Sequence, residues 1–425
     1  MMRLFRPTGL VLVMLSFMYL ITYIDRVNVS TAAAGFAKDF DLNKTQIGLV
    51  FSAFAYPYLL FQIIGGWVSD QFGTRRTLIA CSLIWASATV LTGFAGGLVS
   101  LLVARLLLGL GEGATFPAAT AAMARWVAAK DRGFAQGITH AAARLGNAMA
   151  PPLIAAIMAV YGWRASFFVC AALSFLWLAV WMFTFRENPL EHPRLSREER
   201  DALPPPRAKG QPIPWGRLFA RMAPVTLVYF CYGWTLWLFL SWIPQYFLHS
   251  QNLNLSKSAV FASSVFLAGV IGDSLGGIVT DRIYSATGNL NRARSLMVAV
   301  CMGLTCLSLL PLMFTHDLMI SLACLSAGFF FAEMTIGPMW AVPMDIAPQA
   351  SGTASGIMNS GSALAAIISP VVGGYLIDVT GNWQLPFVGS MVLMLVGMAL
   401  TFLMRPGQKL VADDTTQLQQ QLVMK

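Results

Sequence analysis

The sequence predicts an all-α membrane protein: twelve transmembrane helices in two six-helix, pseudo-symmetric halves. Three observations carry this. Of the 425 residues, 57% are hydrophobic and only 11% charged, against about 25% charged in an ordinary soluble domain, which is too few to cover an aqueous surface. The apolar residues gather into twelve stretches of roughly 20 or more, each long enough at about 1.5 Å per residue to cross a hydrocarbon core about 30 Å thick. Spaced motifs of the first half also return in the second. A soluble enzyme is excluded by the first observation alone.

Hydropathy places spans at 9–34, 45–69, 77–96, 98–124, 133–160 and 164–185. Arg3 and Arg6 ahead of the first apolar run resemble a secretory signal. That run, however, continues from Gly9 through Asp25 and Arg26 to Gly35, longer than a signal core and interrupted by charge, so it reads as a retained first span. Residues 1–185 are the first half. The segment 186–222 contains ENPLEHPRLSREERDALPPPRAKGQP, whose prolines and mixed charges suit neither a span nor a packed core, and it reads as a linker. Six further spans at 223–248, 257–280, 295–315, 317–341, 350–378 and 383–404 make the second half, and 405–425 is a tail.

The net charge of +9 could suggest nucleic acid, but the basic residues form no face or arm; they sit between spans. They report topology. With both termini inside, 21 of the 28 Lys and Arg fall in cytoplasmic segments, and only Lys38, Lys44, Arg164 and Lys257 lie outside. The six cysteines, Cys81, Cys170, Cys231, Cys301, Cys306 and Cys324, lie within apolar stretches without metal-ligand spacing, which argues against disulfide and zinc frameworks. Asn43 and Asn254 each begin an Asn-x-Ser/Thr pattern in an outside loop, but the compact loops favour a bacterial inner membrane protein.

The internal repeat is specific. Glu112 precedes Pro117 by five residues and Glu333 precedes Pro338 by five; Gly137 precedes Pro151 by fourteen and Gly356 precedes Pro370 by fourteen. Asp70 and Asp281 end the second helix of each half, so the offsets are 221, 219 and 211. Parallel halves related by an axis along the membrane normal point to a transporter with its site at the midplane between them.

The second span runs into GGWVSDQFGTRRTL (65–78), and GGIVTDR (276–282) is its degenerate copy in the second half. These glycines permit close helix packing and a tight turn, and the charges can make contacts at the cytoplasmic face. The pair resembles the loop signature of the major facilitator superfamily. In that family the acid and bases latch helices in one state of the alternating-access cycle, a role the resemblance extends to Asp70, Arg75, Arg76, Asp281 and Arg282. YIDRVNVS (23–30), ARLLLGLGEGATFPA (104–118), YGWTLWLFLSWIPQYF (232–247) and DIAPQASGTASGIMNSGSALAAIISPVVGGYLID (345–378) narrow it further. Together they look like the anion:cation symporter family, which includes permeases for hexuronates, aldonates, glucarate and phthalate, and animal sialic acid and glutamate transporters.

Charges buried in spans cost at least about 2.5 kcal/mol each and persist mainly for function. Asp25, Arg26, Arg105, Glu112, Arg144, Asp273 and Glu333 are the clear cases. Arg105 and Glu112 are seven residues apart, two turns on one helix face, whereas Asp25 and Arg26 diverge by about 100° and cannot share a partner. The resemblance implies that Asp25 and Glu112 bind and release protons, with Arg105 tuning Glu112. It further implies that Arg26, Tyr23 and Tyr58 line the substrate pocket and that Asn359 reaches the substrate from the second half. A low-dielectric cavity favours the neutral form of a carboxyl group and a guanidinium favours the ionised form, so an anion arriving at an arginine can change proton affinity. Static ion pairing is the alternative for Asp25 and Glu112.

Arg144 lies too deep to snorkel and reads as a second cation for a dianionic or bulkier acid, or as the internal partner of Asp273 or Glu112. His140 occupies the repeat position of Asn359 and reads as a cavity residue, with simple packing as the alternative. Trp234 and Trp237 either gate the pocket or pack. Asp273 receives no role; Glu333, the repeat partner of Glu112, could face the cavity, although no second-half Arg lies seven residues before it. With no P-loop or nucleotide-binding domain, ATP does not drive the cycle directly, and no cofactor or metal is called for. The reading is a monomeric permease, both termini cytoplasmic, that imports an organic anion such as a sugar acid together with protons. The alternative is a proton-driven drug or metabolite exporter of the same fold, against which three buried arginines argue.

Overall fold

A hydrocarbon core offers no water to backbone N–H and C=O groups, so each span must satisfy its own. The chain meets that condition with helices throughout. The computed structural model describes residues 7–42, 44–193, 195–196, 200, 203, 213–251, 253 and 255–410. Asn43, Asn254, most of the linker between 194 and 212, and the tail from 411 lie outside the described residues. Eleven of the described helices are long and apolar enough to cross a membrane, and the bent pair Ala129–Ala150 and Pro152–Tyr161 makes twelve.

In chain order the spans are α1 (Pro7–Asp39), α2 (Leu49–Phe72), α3 (Thr74–Gly93), α4 (Leu98–Trp126), α5 (Arg132–Tyr161) and α6 (Trp163–Thr184). The second six are α7 (Trp215–Gln245), α8 (Leu255–Thr287), α9 (Asn291–Phe314), α10 (Leu318–Ile346), α11 (Ser351–Thr380) and α12 (Leu385–Leu403). The largest difference from hydropathy is at α7, which begins at Trp215 rather than at 223. Hydropathy discounts Trp215–Met222 for its two arginines. There Arg221 donates to the backbone carbonyls of Met404, Arg405 and Gln408, satisfying the end of α12. The α5 bend of 42° falls at Pro151-Pro152, where two consecutive residues lack an N–H for the helical ladder.

The repeated Glu-x4-Pro pattern has a structural meaning. The α4 span is interrupted between Gly113 and Thr115, and α10 between Glu333 and Ile336. Pro117 and Pro338 sit in the first turn of the following segment, where a missing N–H breaks nothing. Thr115 and Thr335 hydroxyls donate to the carbonyls of Glu112 and Ala332 at 2.6 and 2.7 Å, capping the first segments. Each glutamate is thereby held in the last turn before a break, fully buried.

The halves meet where glycines face each other. A Cβ on Gly66 of α2 would run into the carbonyl oxygen of Gly352 of α11, and one on Gly277 of α8 into that of Gly133 of α5. Backbone-to-backbone approach of this kind is how membrane helices pack without a hydrophobic driving force. The ends of α4, α6, α10 and α12 and the start of α7 share one end of the bundle. The Trp126 indole N–H donates to the Arg186 carbonyl, and Leu410 N–H to Ile346. At the opposite end Asp39 accepts from the Trp163 indole N–H at 2.9 Å and from Arg164 at 2.8 Å, contacts that hold its carboxyl below the usual range.

Candidate functional site

A small cavity of about 20 Å³, room for a water or two, lies between the halves near the middle of the spans. Tyr23 and Arg26 of α1, Tyr58 of α2, and His140 and Arg144 of α5 line it from one side; Trp237 of α7, Trp340 of α10 and Asn359 of α11 line it from the other. All six residues expected to touch substrate therefore converge on one space. A wider recess between α3 and α4, lined by Leu91, Phe94 and Val99, has no titratable side chain.

Arg26 is the most elaborately held residue. Its guanidinium lies 4.7–5.1 Å from the ring centroids of Tyr23, Phe54, Tyr58 and Phe116. An aromatic cage compensates part of the lost hydration of a cation. Its Nε donates to Glu112 Oε2 at 2.6 Å, while Nη2 and the other Glu112 oxygen have no hydrogen-bond partner among the described residues. Arg105, expected to share a helix face with Glu112 and tune it, donates to the Val50 carbonyl at 3.3 Å and stacks 5.0 Å from the Phe54 ring. Phe54 thus stands between the two guanidinium groups, and Glu112's direct partner is Arg26.

Asp25 faces away from the cavity, as the angular divergence from Arg26 requires. It accepts weakly from Thr89 of α3 and Ser174 of α6, at 3.5 and 3.4 Å, inside the first half. Asn359 donates to Gln62 Oε1 at 2.8 Å, joining α11 to α2 across the halves. Sequence reasoning missed Gln62, although a buried amide one turn after Tyr58 was a visible signal. His140 lines the cavity, its Nδ1–H donating to the Gln136 carbonyl at 2.9 Å and its ring packed against Phe116 and Trp340. Trp237 lines the cavity and donates to Ser362 at 3.3 Å, whereas Trp234 packs on Phe230 outside it.

Arg144 takes the internal pairing. Its Nη2 lies 3.1 Å from Glu333 Oε2 and its Nε lies 3.9 Å from Asp273. Tyr232 donates to both Glu333 oxygens at 3.0 Å. Two second-half acids therefore surround a first-half arginine.

At the end of the bundle where the termini lie, Asp70 accepts from Gly352 N–H at 3.1 Å and from Thr353 N–H and hydroxyl at 2.6 Å each. Asp281 accepts from Gly133 and Phe134 N–H at 3.0 and 2.6 Å. Each aspartate ends the second helix of its own half and sits on the N-terminus of a helix of the other half, where the unpaired N–H groups favour an anion. The expected basic partners differ. Arg75 stays within its own half on the Met182 carbonyl and Arg76 is exposed, because Gly73 turns the chain at φ +95° and directs the residues after it outward; Arg282, inside α8, is exposed as well. The cations at the latch are Arg294 and Arg132, both bound to Asp345 at 3.0 Å, with Arg294 also 3.2 Å from Asp281. Both arginines border the spans predicted at 133–160 and 295–315, where charge counting alone places them in cytoplasmic loops.

The major facilitator superfamily model matches residues 15–370. The chain is 45% identical over 402 residues, 93% of it and 94% of the relative, to the probable sulfoacetate transporter SauU of Cupriavidus necator. It is 30% identical over 387 residues, 87% of it and 89% of the relative, to the D-galactonate transporter of Escherichia coli. Its fold is similar to that of the proton:xylose symporter XylE bound to 6-bromo-6-deoxy-D-glucose, with a TM-score of 0.75 at 15% identity over 94% of this chain and 97% of that one. Twelve spans in two repeated halves, aspartates set on opposing helix ends and this family match lead to one assignment: the chain belongs to the major facilitator superfamily, among transporters rather than enzymes, with anion transporters as its relatives.

Proposed function

We propose that this protein imports a small organic acid, a carboxylate or sulfonate, by proton symport with alternating access. The observation that carries the reading is the Arg26–Glu112 contact at 2.6 Å, an ion pair whose arginine lines the midplane cavity. An incoming carboxylate and Glu112 compete for one guanidinium. When substrate takes Arg26 by two parallel hydrogen bonds, Glu112 becomes a buried anion without its cation, and a proton relieves that state. Substrate and proton are then loaded together. The names of the sulfoacetate and galactonate transporters support an acid as cargo.

The remaining parts follow. Tyr23, Tyr58, His140 and Asn359 shape and hydrogen-bond the substrate. Asp25 is the second acid of the proton path, and Arg105 biases Glu112 through the intervening Phe54. The excess of basic residues at the end carrying the termini supports placing that end in the cytoplasm, in an inner membrane, and we read the protein as a monomer. The two six-helix halves, the second beginning at Trp215, rock about the site, with the linker between them and the tail after 404 inside. Asp70 and Asp281 stabilise the cytoplasm-closed state.

Glu112→Gln tests the coupling, because it mimics the permanently protonated side chain at nearly unchanged volume. In liposomes the variant should lose accumulation driven by a pH gradient yet retain counterflow of labelled substrate against an internal unlabelled pool. Loss of both would make Glu112 a substrate or structural residue, and undiminished gradient-driven uptake would remove it from the proton path.

A further inference from the structure

We propose that Arg144, Glu333 and Tyr232 form a second anion subsite on the same cavity, and that the transported acid is a short dianion whose ends engage Arg26 and Arg144. This rests on the reading of Arg26 as the first anion site.

The two arginines are built alike. Each is held on one edge by a glutamate, Arg26 by Glu112 and Arg144 by Glu333, and each keeps one buried Nη without a hydrogen-bond partner among the described residues, Nη2 of Arg26 and Nη1 of Arg144. Both side chains line the cavity. A buried charged donor left unpaired is costly, so two of them on one small space define where an anion gains most. The glutamates are repeat partners, offset by 221 residues and each placed just before a helix break. Unlike the first unit, the second crosses the halves: Arg144 belongs to α5, Glu333 to α10, Tyr232 to α7 and Asp273 to α8.

The spacing sets the length of the ligand. The Tyr23 ring lies 4.8 Å from the Arg26 guanidinium carbon and 5.6 Å from that of Arg144. The two carbons are therefore no further apart than the sum, about 10 Å, and bidentate seating places an acid's central atom about 4 Å from each. At most about 2.5 Å remains between the two acid groups, which corresponds to one intervening carbon. Arg144 already faces two acids, Glu333 and Asp273, so an entering group replaces Glu333 rather than adding a third charge. Tyr232 keeps its hydrogen bonds to the released Glu333. A monoanion at Arg26 leaves the Arg144–Glu333 contact intact.

Binding to the purified full-length protein is read from quenching of cavity tryptophans Trp237 and Trp340. Malonate and sulfoacetate are the short dianions, acetate and methanesulfonate the matched monoanions, adipate the long dianion and galactonate the long monoanion. Short dianions should bind at least about tenfold more tightly than matched monoanions and than adipate. Arg144→Gln should weaken short dianions about 30-fold or more while moving monoanions by less than about threefold. Glu333→Gln, which removes the competing charge but keeps a partner for Arg144, should tighten short dianions. Equal losses for both charge classes in Arg144→Gln, weaker dianion binding in Glu333→Gln, or adipate binding as well as malonate would each overturn the proposal. Tight galactonate binding that depends on Arg26, with no preference for short dianions, would overturn it while leaving the Arg26 reading standing. Binding of no acid at all would sink both.

Discussion

Removing the Asp70 carboxylate should open the end of the bundle that carries the termini. Asp70 receives three hydrogen bonds from the start of α11 in the other half, two from backbone N–H groups and one from a hydroxyl. Bonds to a charged acceptor contribute about 1.5–3 kcal/mol each, so the gross interaction is about 5–9 kcal/mol. When the halves part, carboxylate and donors all reach interfacial water and recover most of it, leaving a net contribution of about 2–3 kcal/mol to the closed state. Asp70→Ala should therefore raise the open-to-closed ratio about 30- to 150-fold. Ala121 of α4 is a suitable reporter, being buried and set against Gly352 at this interface. In a cysteine-free background, Ala121→Cys should react with a thiol reagent slowly in an otherwise unaltered chain and faster by about that factor with Asp70→Ala. Asp70→Asn should fall between, since its amide keeps one acceptor but turns a donor toward N–H groups. An unchanged labelling rate in Asp70→Ala would refute the latch, whatever happened to transport.

Two further outcomes follow. Arg26→Lys keeps the charge but not the fork that seats a carboxylate on two hydrogen bonds, so it should lose most uptake in a transport assay, and wild-type transport would exclude bidentate seating. Single cysteines at Asn43 and Asn254 should react with an impermeant thiol reagent in intact cells while one at Gly210 should not, and labelling of residue 210 from outside would overturn an inward-facing linker.

Much of the architecture was legible because membrane helices are specified by length and hydropathy, which are local. The Glu-x4-Pro repeat related the two halves, but the helix breaks beside it were not anticipated by the continuous spans 98–124 and 317–341. Side-chain partners were not legible in the same way. Arg105 and Glu112 share a helix face at two turns' separation, yet a long guanidinium chooses among all neighbours within reach, and the Val50 carbonyl and Phe54 ring from α2 won. The Arg26–Glu112 contact links residues 86 apart on different helices and left no periodic signature. The latch cations escaped for a different reason. Arg132 and Arg294 lie next to helix starts within basic loops, so counting charges for orientation absorbed residues that are buried against Asp345.

The two halves use the same positions with different chemistry. The offset of 211 that relates Asp70 to Asp281 also relates Gln62 to Asp273, and the offset of 219 relates His140 to Asn359. At the latch end both copies do the same thing, an aspartate on an opposing helix start. At the midplane they diverge: α2 meets α11 through a neutral amide pair, Gln62 with Asn359, whereas α5 meets α8 and α10 through an arginine and two acids. Water or a substrate hydroxyl can replace an amide–amide bond at a net cost of about 0.5–1.5 kcal/mol. Separating a buried ion pair leaves uncompensated charge and costs several times that, unless a proton or an anion arrives. The neutral seam can therefore part on thermal motion, while the ionic seam parts only when charge is delivered. An alternating-access protein that must not leak protons or slip without cargo gains from having the two seams unequal, with the ionic one bordering the cavity that admits the acid.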